Sequence, residues 1–393
     1  MMTFRMAAFA AALALALGFA VAPRAAAAVD PYEIDAILPQ SGNGAFLGTA
    51  QQVALNILQD LINKRGGVAG RPLKFVYLDD QSKPQVAVQL TNGVIAKKAA
   101  LMVGSTLVAI CSAEAPLITD GPLTYCFSPA VHPPAGSFMF TAGTSTTDML
   151  AASLRFFRAK GWTKLAILAS TDATGQDVEN NVTAMLALPE NKGITFVDNE
   201  HYNASDVSVA AQIARIKSSG AQAMIAWTVG GPLATIFNGM QSSGLDIPVL
   251  ATPGNMTYVQ MKQYAAFLPK ELYFPGSAAF APEQLPNGPE KKVVSAYLDA
   301  FKANGIRPDQ GHLFVWDPIV ILVDALNKLG PNATPAQLRD FINGYHGTGM
   351  FGRYDFHAVP QRGIGVESVI MVRWSPEKDT WVGVSKAGGE ALR

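Results

Sequence analysis

The chain has 393 residues, of which 49% are apolar and only 15% are charged, and its formal net charge is zero. This length and composition predict two or three domains with a large buried core. The balanced charge disfavours a nucleic-acid-binding protein, whose binding surface would carry an excess of basic residues.

Residues 1–28 have the pattern of a secretory signal peptide. Arg5 precedes an apolar run over residues 6–21, and the small residues 25–28 supply a cleavage site of the A-x-A type. A single membrane anchor is the alternative, but the run is short for a bilayer span. No cysteine lies at the cleavage site, which disfavours a lipoprotein anchor. The mature protein is expected to begin near Val29 and to be soluble outside the cytoplasm.

Short apolar strands alternate with amphipathic helices in the first third of the chain. Apolar residues recur at helical spacing between the strands, which predicts a parallel sheet with right-handed crossovers. The predicted elements are strands at 32–38, 73–78, 101–103 and 123–127, and helices at 46–64, 84–98 and 107–118.

Residues 101–132 form the most informative part of this block. The strand at 101–103 ends in Gly104-Ser105-Thr106, and a helix follows at once. The first N–H groups of such a helix have no partner within it and its dipole is positive there, so this corner is suited to a small anion. The alternative is an ordinary strand–helix corner that binds nothing.

The alternation recurs after residue 147 and predicts a second, similar α/β lobe. Its helices are predicted at 148–160, 177–188 and 207–218, with a further helix ending at 242, and its strands at 164–169, 194–197, 223–227 and 248–251. The last part of the chain has longer helices, at 289–303, at 313–329 and from Pro335, and strands at 349–356 and 364–374.

Cys111 and Cys126 are the only cysteines. In an oxidising compartment two cysteines permit one disulfide, and a helix bearing Cys111 would cover the strand bearing Cys126. The alternative is a pair of buried thiols that pack as small apolar side chains.

We find no pattern typical of an enzyme or a metal site. The sequence lacks a Gly-x-Ser-x-Gly elbow and a phosphate-binding Gly-Lys-Ser/Thr loop, and its five histidines are not at metal-ligand spacing. Because a catalytic triad need not be local in sequence, an extracellular hydrolase remains an alternative. Neither a cofactor nor a metal is expected.

Several short motifs, in their order and spacing, resemble the branched-chain amino-acid binding protein family. These periplasmic receptors deliver small solutes to ABC transporters. The motifs are Leu38-Pro39-x-Ser41-Gly42, Asn63 with Gly66-Gly67, Gly70-Arg71-Pro72, Asp79-Asp80, Val103-Gly104 and Ser128-Pro129.

The resemblance implies a type I periplasmic binding protein, with two Rossmann-like lobes, parallel central sheets and a multi-strand hinge. The first lobe would comprise residues 30–145 and 277–352, and the second 146–276 and 353–393. It further implies a periplasmic monomer whose partners are a small-molecule ligand and an inner-membrane ABC permease.

The resemblance also implies ligand-binding positions. In the family, the ligand carboxylate is held by loops that match Val108 and Ala109 and, further on, Ala130 and His132. Serine and threonine hydroxyls usual at the first pair are replaced here by apolar residues, so backbone N–H groups would have to donate. The His132 imidazole could bind a carboxylate directly; the alternative is a solvated loop residue.

The sequence departs from the family where the ligand ammonium would be bound. The acidic residue expected after the strand at 248–251 is missing from Thr252-Pro-Gly-Asn255, and Thr174 replaces a tyrosine. An unpaired buried ammonium would cost several kcal/mol. We therefore expect poor binding of α-amino acids, with Asn255 available for a carboxylate or a hydroxyl.

Aromatic and apolar residues at the predicted cleft favour a flat apolar ligand. They are Phe46, Leu47, Trp227, Phe280, Phe314 and Trp316, with Gly230 leaving room beside Trp227. The alternative for each is ordinary core packing.

The sequence thus predicts a receptor for a small carboxylate, and the ligand expected first is an aromatic acid such as a benzoate or a phenylpropenoate. Branched-chain amino acids, amides or urea remain alternative ligands, and a sensory ligand-binding module is an alternative role.

Overall fold

The computed structural model describes residues 29–392, so the predicted signal peptide lies outside the described residues. The strands are β1 (Tyr32–Leu38), β2 (Leu73–Asp79), β3 (Leu101–Gly104), β4 (Leu123–Cys126), β5 (Met139–Thr141), β6 (Lys164–Ser170), β7 (Thr195–Tyr202), β8 (Ala223–Trp227), β9 (Val249–Ala251), β10 (Leu272–Gly276), β11 (His346–Gly349), β12 (Gly352–Asp355), β13 (Ile370–Ser375) and β14 (Thr380–Ala387). The helices are α1 (Ala45–Lys64), α2 (Pro84–Ala96), α3 (Val108–Glu114), α4 (Thr146–Ala159), α5 (Ala173–Leu186), α6 (Ala210–Ser219), α7 (Gly231–Ser243), α8 (Tyr258–Gln263), α9 (Pro289–Ala303), α10 (Gln310–Leu329) and α11 (Pro335–Asn343).

Two sheets define two lobes, and the predicted α/β fold class is confirmed. The sheet of the first lobe has the order β2-β1-β3-β4-β5 and is parallel throughout. The sheet of the second lobe has the order β14-β13-β10-β9-β8-β6-β7. Its strands from β6 to β10 are parallel, whereas β13 and β14 are added antiparallel at one edge. Amphipathic helices cover the sheets, and the central strands β3, β4, β8 and β9 are fully buried, whereas the edge strand β7 is partly exposed.

Two predicted elements differ from the structure for local reasons. The helix predicted to reach residue 118 ends as α3 at Glu114 and tightens into a 3-10 turn, because Pro116 has no N–H to continue the helical hydrogen bonds. The strand predicted at 349–356 is a hairpin of β11 and β12. The buried Asp317 carboxylate holds its turn by accepting hydrogen bonds from the backbone N–H groups of Met350 and Phe351.

The buried guanidinium of Arg362 hydrogen-bonds two of the segments that connect the lobes. Arg362, only 5% exposed, donates from Nη1 to the Gly143 carbonyl (2.8 Å) and from Nη2 to the Val131 carbonyl (2.7 Å). Burial lowers the pKa of its guanidinium to about 10, with the carboxylates of Asp148 and Asp177 partly opposing this shift. The side chain is therefore charged at neutral pH and is compensated by carbonyl and carboxylate oxygens.

We expect Arg362→Met to lower the free energy of unfolding by about 3 kcal/mol, because it removes two charge-assisted hydrogen bonds and leaves buried acceptors unpaired. Urea denaturation of the mature protein measures this loss. The exposed Arg353, changed to Met, is the matched control and should alter stability by no more than about 0.5 kcal/mol. Equal effects of the two substitutions would contradict the structural role of Arg362.

Glu114 is buried near the end of α3, and burial raises the pKa of its carboxyl to about 8. Thr91 Oγ1 lies 3.3 Å from its Oε1. In the folded protein the Glu114 carboxyl therefore keeps its proton up to about pH 8, whereas in the unfolded chain it loses that proton above its ordinary pKa of 4.5. Stability from this group is fully present below pH 4.5 and is lost as pH rises towards 8.

Glu114→Gln should remove this pH dependence, since the amide stays neutral. Relative to wild type, the variant should gain up to about 1.4 kcal/mol per pH unit between pH 5 and 8. Urea unfolding at pH 5, 6, 7 and 8 measures the difference, and the exposed Glu283→Gln is the control. Parallel pH profiles for wild type and Glu114→Gln would rule out a buried neutral carboxyl.

Candidate functional site

The carboxyl ends of the parallel strands of both lobes face each other and enclose a cavity. Its volume is about 40 Å³, well below the roughly 300–1,000 Å³ that is typical of small-molecule sites. The side chains of the two walls therefore lie close together, and the cavity is a narrow slot.

The first lobe supplies one wall from the loops after β3 and β4 and from the helices α1, α3 and α10. The disulfide between Cys111 and Cys126 links α3 to the end of β4, so it joins the two segments that carry most of this wall. Ser105 Oγ donates to the buried Asp80 carboxylate (2.7 Å), which fixes the turn between β3 and α3. The wall residues are Leu47, Thr106, Leu107, Val108, Ser128, Pro129, Ala130 and Phe314.

The second lobe supplies the opposite wall from helix starts and from the loops after β8 and β9. Asp172 caps α5 by accepting from the N–H groups of Thr174 and Gly175. Asn255 fixes the loop after β8, since its Oδ1 accepts from Gly230 N (2.9 Å) and its Nδ2 donates to the Thr228 carbonyl (2.7 Å). The wall residues are Thr146, Met149, Thr174, Trp227, Val229, Thr252 and Gly254.

The cavity wall is electrically neutral. Among the described residues, those that line it include no Asp, Glu, Lys, Arg or His. Its polar side chains are the hydroxyls of Thr106, Ser128, Thr146, Thr174 and Thr252. Such a wall can hydrogen-bond an uncharged or anionic group through hydroxyls and backbone N–H groups, but it offers no counter-charge to an ammonium.

The structure places six of the predicted residues at this cavity: Leu47, Val108, Ala130, Thr174, Trp227 and Phe314. It places His132 outside the cavity. The His132 side chain is 44% exposed, and its Nε2 lies 2.8 Å from Oδ1 of Asp177 in the second lobe. This contact explains its position: the imidazole bridges the two lobes and faces solvent instead of the slot.

The remaining predicted residues also lie away from the cavity wall. Ala109 is exposed on α3. Gly230 faces Phe46 of the first lobe, so this pair packs one lobe against the other. The side chain of Asn255, which follows β9, is engaged with the backbone of the neighbouring loop after β8, as described above. Phe280 packs against Trp381, and Trp316 packs against Tyr297 and Phe301 in the core.

Sequence reasoning missed several wall residues, among them Thr146, Met149 and Val229. The hydroxyl-rich run at 144–147, which overlaps the start of α4, was a usable signal, because Ser and Thr are common at helix starts and the helix starts of this fold lie at the cleft edge of the sheets. Val229 and Met149 carry no such signal, since an apolar residue beside a strand is most often core.

The described part of the chain contains neither a cluster of metal ligands nor a helix suited to span a membrane. Over residues 29–392, no group of three or more His, Cys, Asp or Glu side chains is placed to hold a metal ion. In the same range, none of the helices combines the length and hydropathy needed to cross a membrane.

Comparison with known proteins gives consistent family matches. The family model described as "Periplasmic binding protein" matches residues 31–380. A curated relative from Pseudomonas aeruginosa, a leucine-, isoleucine-, valine-, threonine- and alanine-binding protein, is 24% identical over 356 residues, covering 84% of this chain and 86% of that protein.

Solved structures show the same fold. An extracellular ligand-binding receptor from Rhodopseudomonas palustris HaA2 aligns with a TM-score of 0.79 at 20% identity, covering 91% of this chain and 100% of that one. A solute-binding protein of an ABC transporter from R. palustris, solved in complex with benzoate, aligns with a TM-score of 0.73 at 18% identity, covering 92% and 97%. With the family match over most of its length, this chain belongs to the periplasmic binding protein family.

Proposed function

We propose that this protein captures a small aromatic carboxylate of the benzoate or phenylpropenoate type in the periplasm and delivers it to an inner-membrane ABC permease. The observation that carries the proposal is the neutral cavity wall. An α-amino acid would bury an ammonium there without a counter-charge, at a cost of several kcal/mol. A carboxylate alone needs only hydrogen-bond donors, which hydroxyls and backbone N–H groups provide.

The shape and chemistry of the slot favour an aromatic body for the ligand. Trp227 of the second lobe and Phe314 of the first lobe both line it, together with Leu47, Met149 and Val229. A flat ring packs well between apolar and aromatic side chains in a narrow space. The fold relative solved with benzoate supports this ligand class, although its 18% identity does not carry the ligand over to this chain.

In this mechanism the two lobes rotate about the hinge segments between them and close on the ligand. The ligand contacts residues of both walls, so it stabilises the closed arrangement over the open one. The closed form, as a monomer, is then recognised by the permease. The residues proposed to bind are Leu47, Val108, Ala130, Thr174 and Trp227, with the carboxylate held by the loops of the first lobe, as the family resemblance implies.

We expect isothermal titration of the mature protein to show benzoate or 3-phenylpropenoate binding near micromolar Kd, about −8 kcal/mol, and leucine binding much more weakly. Trp227→Leu should weaken aromatic-acid binding roughly tenfold, because it removes a ring from the slot. Phe280→Leu, an aromatic change outside the cavity, is the control and should leave Kd unchanged. Leucine or another α-amino acid as the tightest ligand would overturn the proposal.

A further inference from the structure

Thr146 is a buried cavity residue whose hydroxyl has no partner. Its side chain is 0% exposed, it lines the slot from the second lobe, and its Oγ1 makes no hydrogen bond within the described chain. A buried hydroxyl without a partner costs about 1–3 kcal/mol. Such a group in a binding cavity therefore needs a specific explanation.

The neighbouring hydroxyls show that this is not a general property of the helix start. Ser145 caps α4: its Oγ accepts from Asp148 N (3.1 Å) and donates to the Asp148 carboxylate (2.6 Å). Thr147 Oγ1 hydrogen-bonds Asn181. Thr146, between them, is the member of this run that faces the slot, and its hydroxyl is left for a group that enters the slot.

Two other threonines of the cavity wall have hydroxyl partners in the protein. Thr252 Oγ1 accepts from Gly254 N at 3.3 Å, and Thr106 Oγ1 lies 3.4 Å from the Phe127 carbonyl. Their hydroxyls are thus partly occupied in shaping the wall loops. Thr146 differs from these two because its buried hydroxyl has no hydrogen-bond partner in the described chain.

The position of Thr146 indicates which end of the ligand it faces. It belongs to the second-lobe wall, whereas Val108 and Ala130, the proposed carboxylate side, belong to the first-lobe wall. A ligand that spans the slot with its carboxylate at the first lobe would present its far end to the second lobe. An unsubstituted ring would leave the Thr146 hydroxyl unpaired.

From these observations we infer that Thr146 hydrogen-bonds a second polar group of the ligand, a hydroxyl remote from the carboxylate, so that the ligand is a hydroxylated aromatic acid. This inference rests on the proposed function and narrows its ligand class.

A second carboxylate on the ligand is disfavoured, because the first turn of α4 already carries the Asp148 carboxylate and the described wall has no cation to balance another. A phenolic hydroxyl can both donate to and accept from threonine.

The test compares 4-hydroxybenzoate and 3-hydroxybenzoate with benzoate by isothermal titration. Wild type should bind at least one hydroxybenzoate roughly tenfold or more tighter than benzoate, since a site built for a hydroxyl discriminates against the analogue that lacks it. Thr146→Val, nearly isosteric, should abolish that preference, so that the ratio of the hydroxybenzoate and benzoate dissociation constants falls to about one. Thr146→Ser should restore the preference.

Thr147→Val is the matched control. It removes a hydroxyl from the next residue of the same helix, one that bonds Asn181 instead of facing the slot. It should lower stability slightly and leave the ratio of the two affinities unchanged. A ratio that falls equally in both variants would indicate distortion of α4 and would overturn the role of Thr146.

Different results would contradict the proposed function and the hydrogen bond from Thr146. If neither hydroxybenzoate nor benzoate binds to folded wild-type protein, the proposed function fails and the inference fails with it. If the acids bind with equal affinity, or Thr146→Val weakens all of them alike, the ligand class stands and the hydrogen bond from Thr146 is refuted.

Discussion

The cavity depends on one buried charge. The guanidinium of Arg362 binds the carbonyls of Gly143 and Val131, and so it ties the segment before β13 both to the segment that enters α4 and to the loop after β4. Those last two segments carry residues of opposite cavity walls, Thr146 and Ala130. A buried cation that needs fixed oxygens around it constrains the backbone more sharply than apolar packing does, because apolar contacts tolerate small shifts.

In the proposed receptor, selectivity would arise from the absence of charged side chains among the described residues of the cavity wall. A wall of hydroxyls, backbone amides and apolar side chains penalises any ligand that brings a buried ammonium, whatever the shape of that ligand. Two basic side chains near the cavity are engaged with protein partners: His132 with Asp177, and Arg362 with backbone carbonyls. The same fold can therefore serve different ligands across its family by exchanging a few loop side chains.

Features encoded by local periodicity were predictable from the sequence, and features that depend on long-range contacts were not. The alternation of strands and helices gave the α/β class, the predicted cleft pointed to Leu47 and Trp227, and the family resemblance pointed to Val108. The antiparallel edge made by β13 and β14 is a long-range pairing that no local pattern specifies. Whether His132 turned towards the slot depended on Asp177, which is 45 positions away in sequence. The pairing of Arg362 with the carbonyls of residues 131 and 143 could not be predicted either, because these residues are far apart in the sequence.

The bond between Cys111 and Cys126 also affects the order in which the cavity can be assembled. It closes a span of 15 residues, so the start of α3 and the end of β4 stay near each other even in the unfolded oxidised chain. Local contacts form faster than distant ones because less chain entropy is lost in bringing them together. The first-wall loops at 106–108 and 128–130 are thus held near each other. The other first-wall residues, Leu47 and Phe314, and the facing wall from Thr146 to Gly254 are brought together only by contacts between distant parts of the chain.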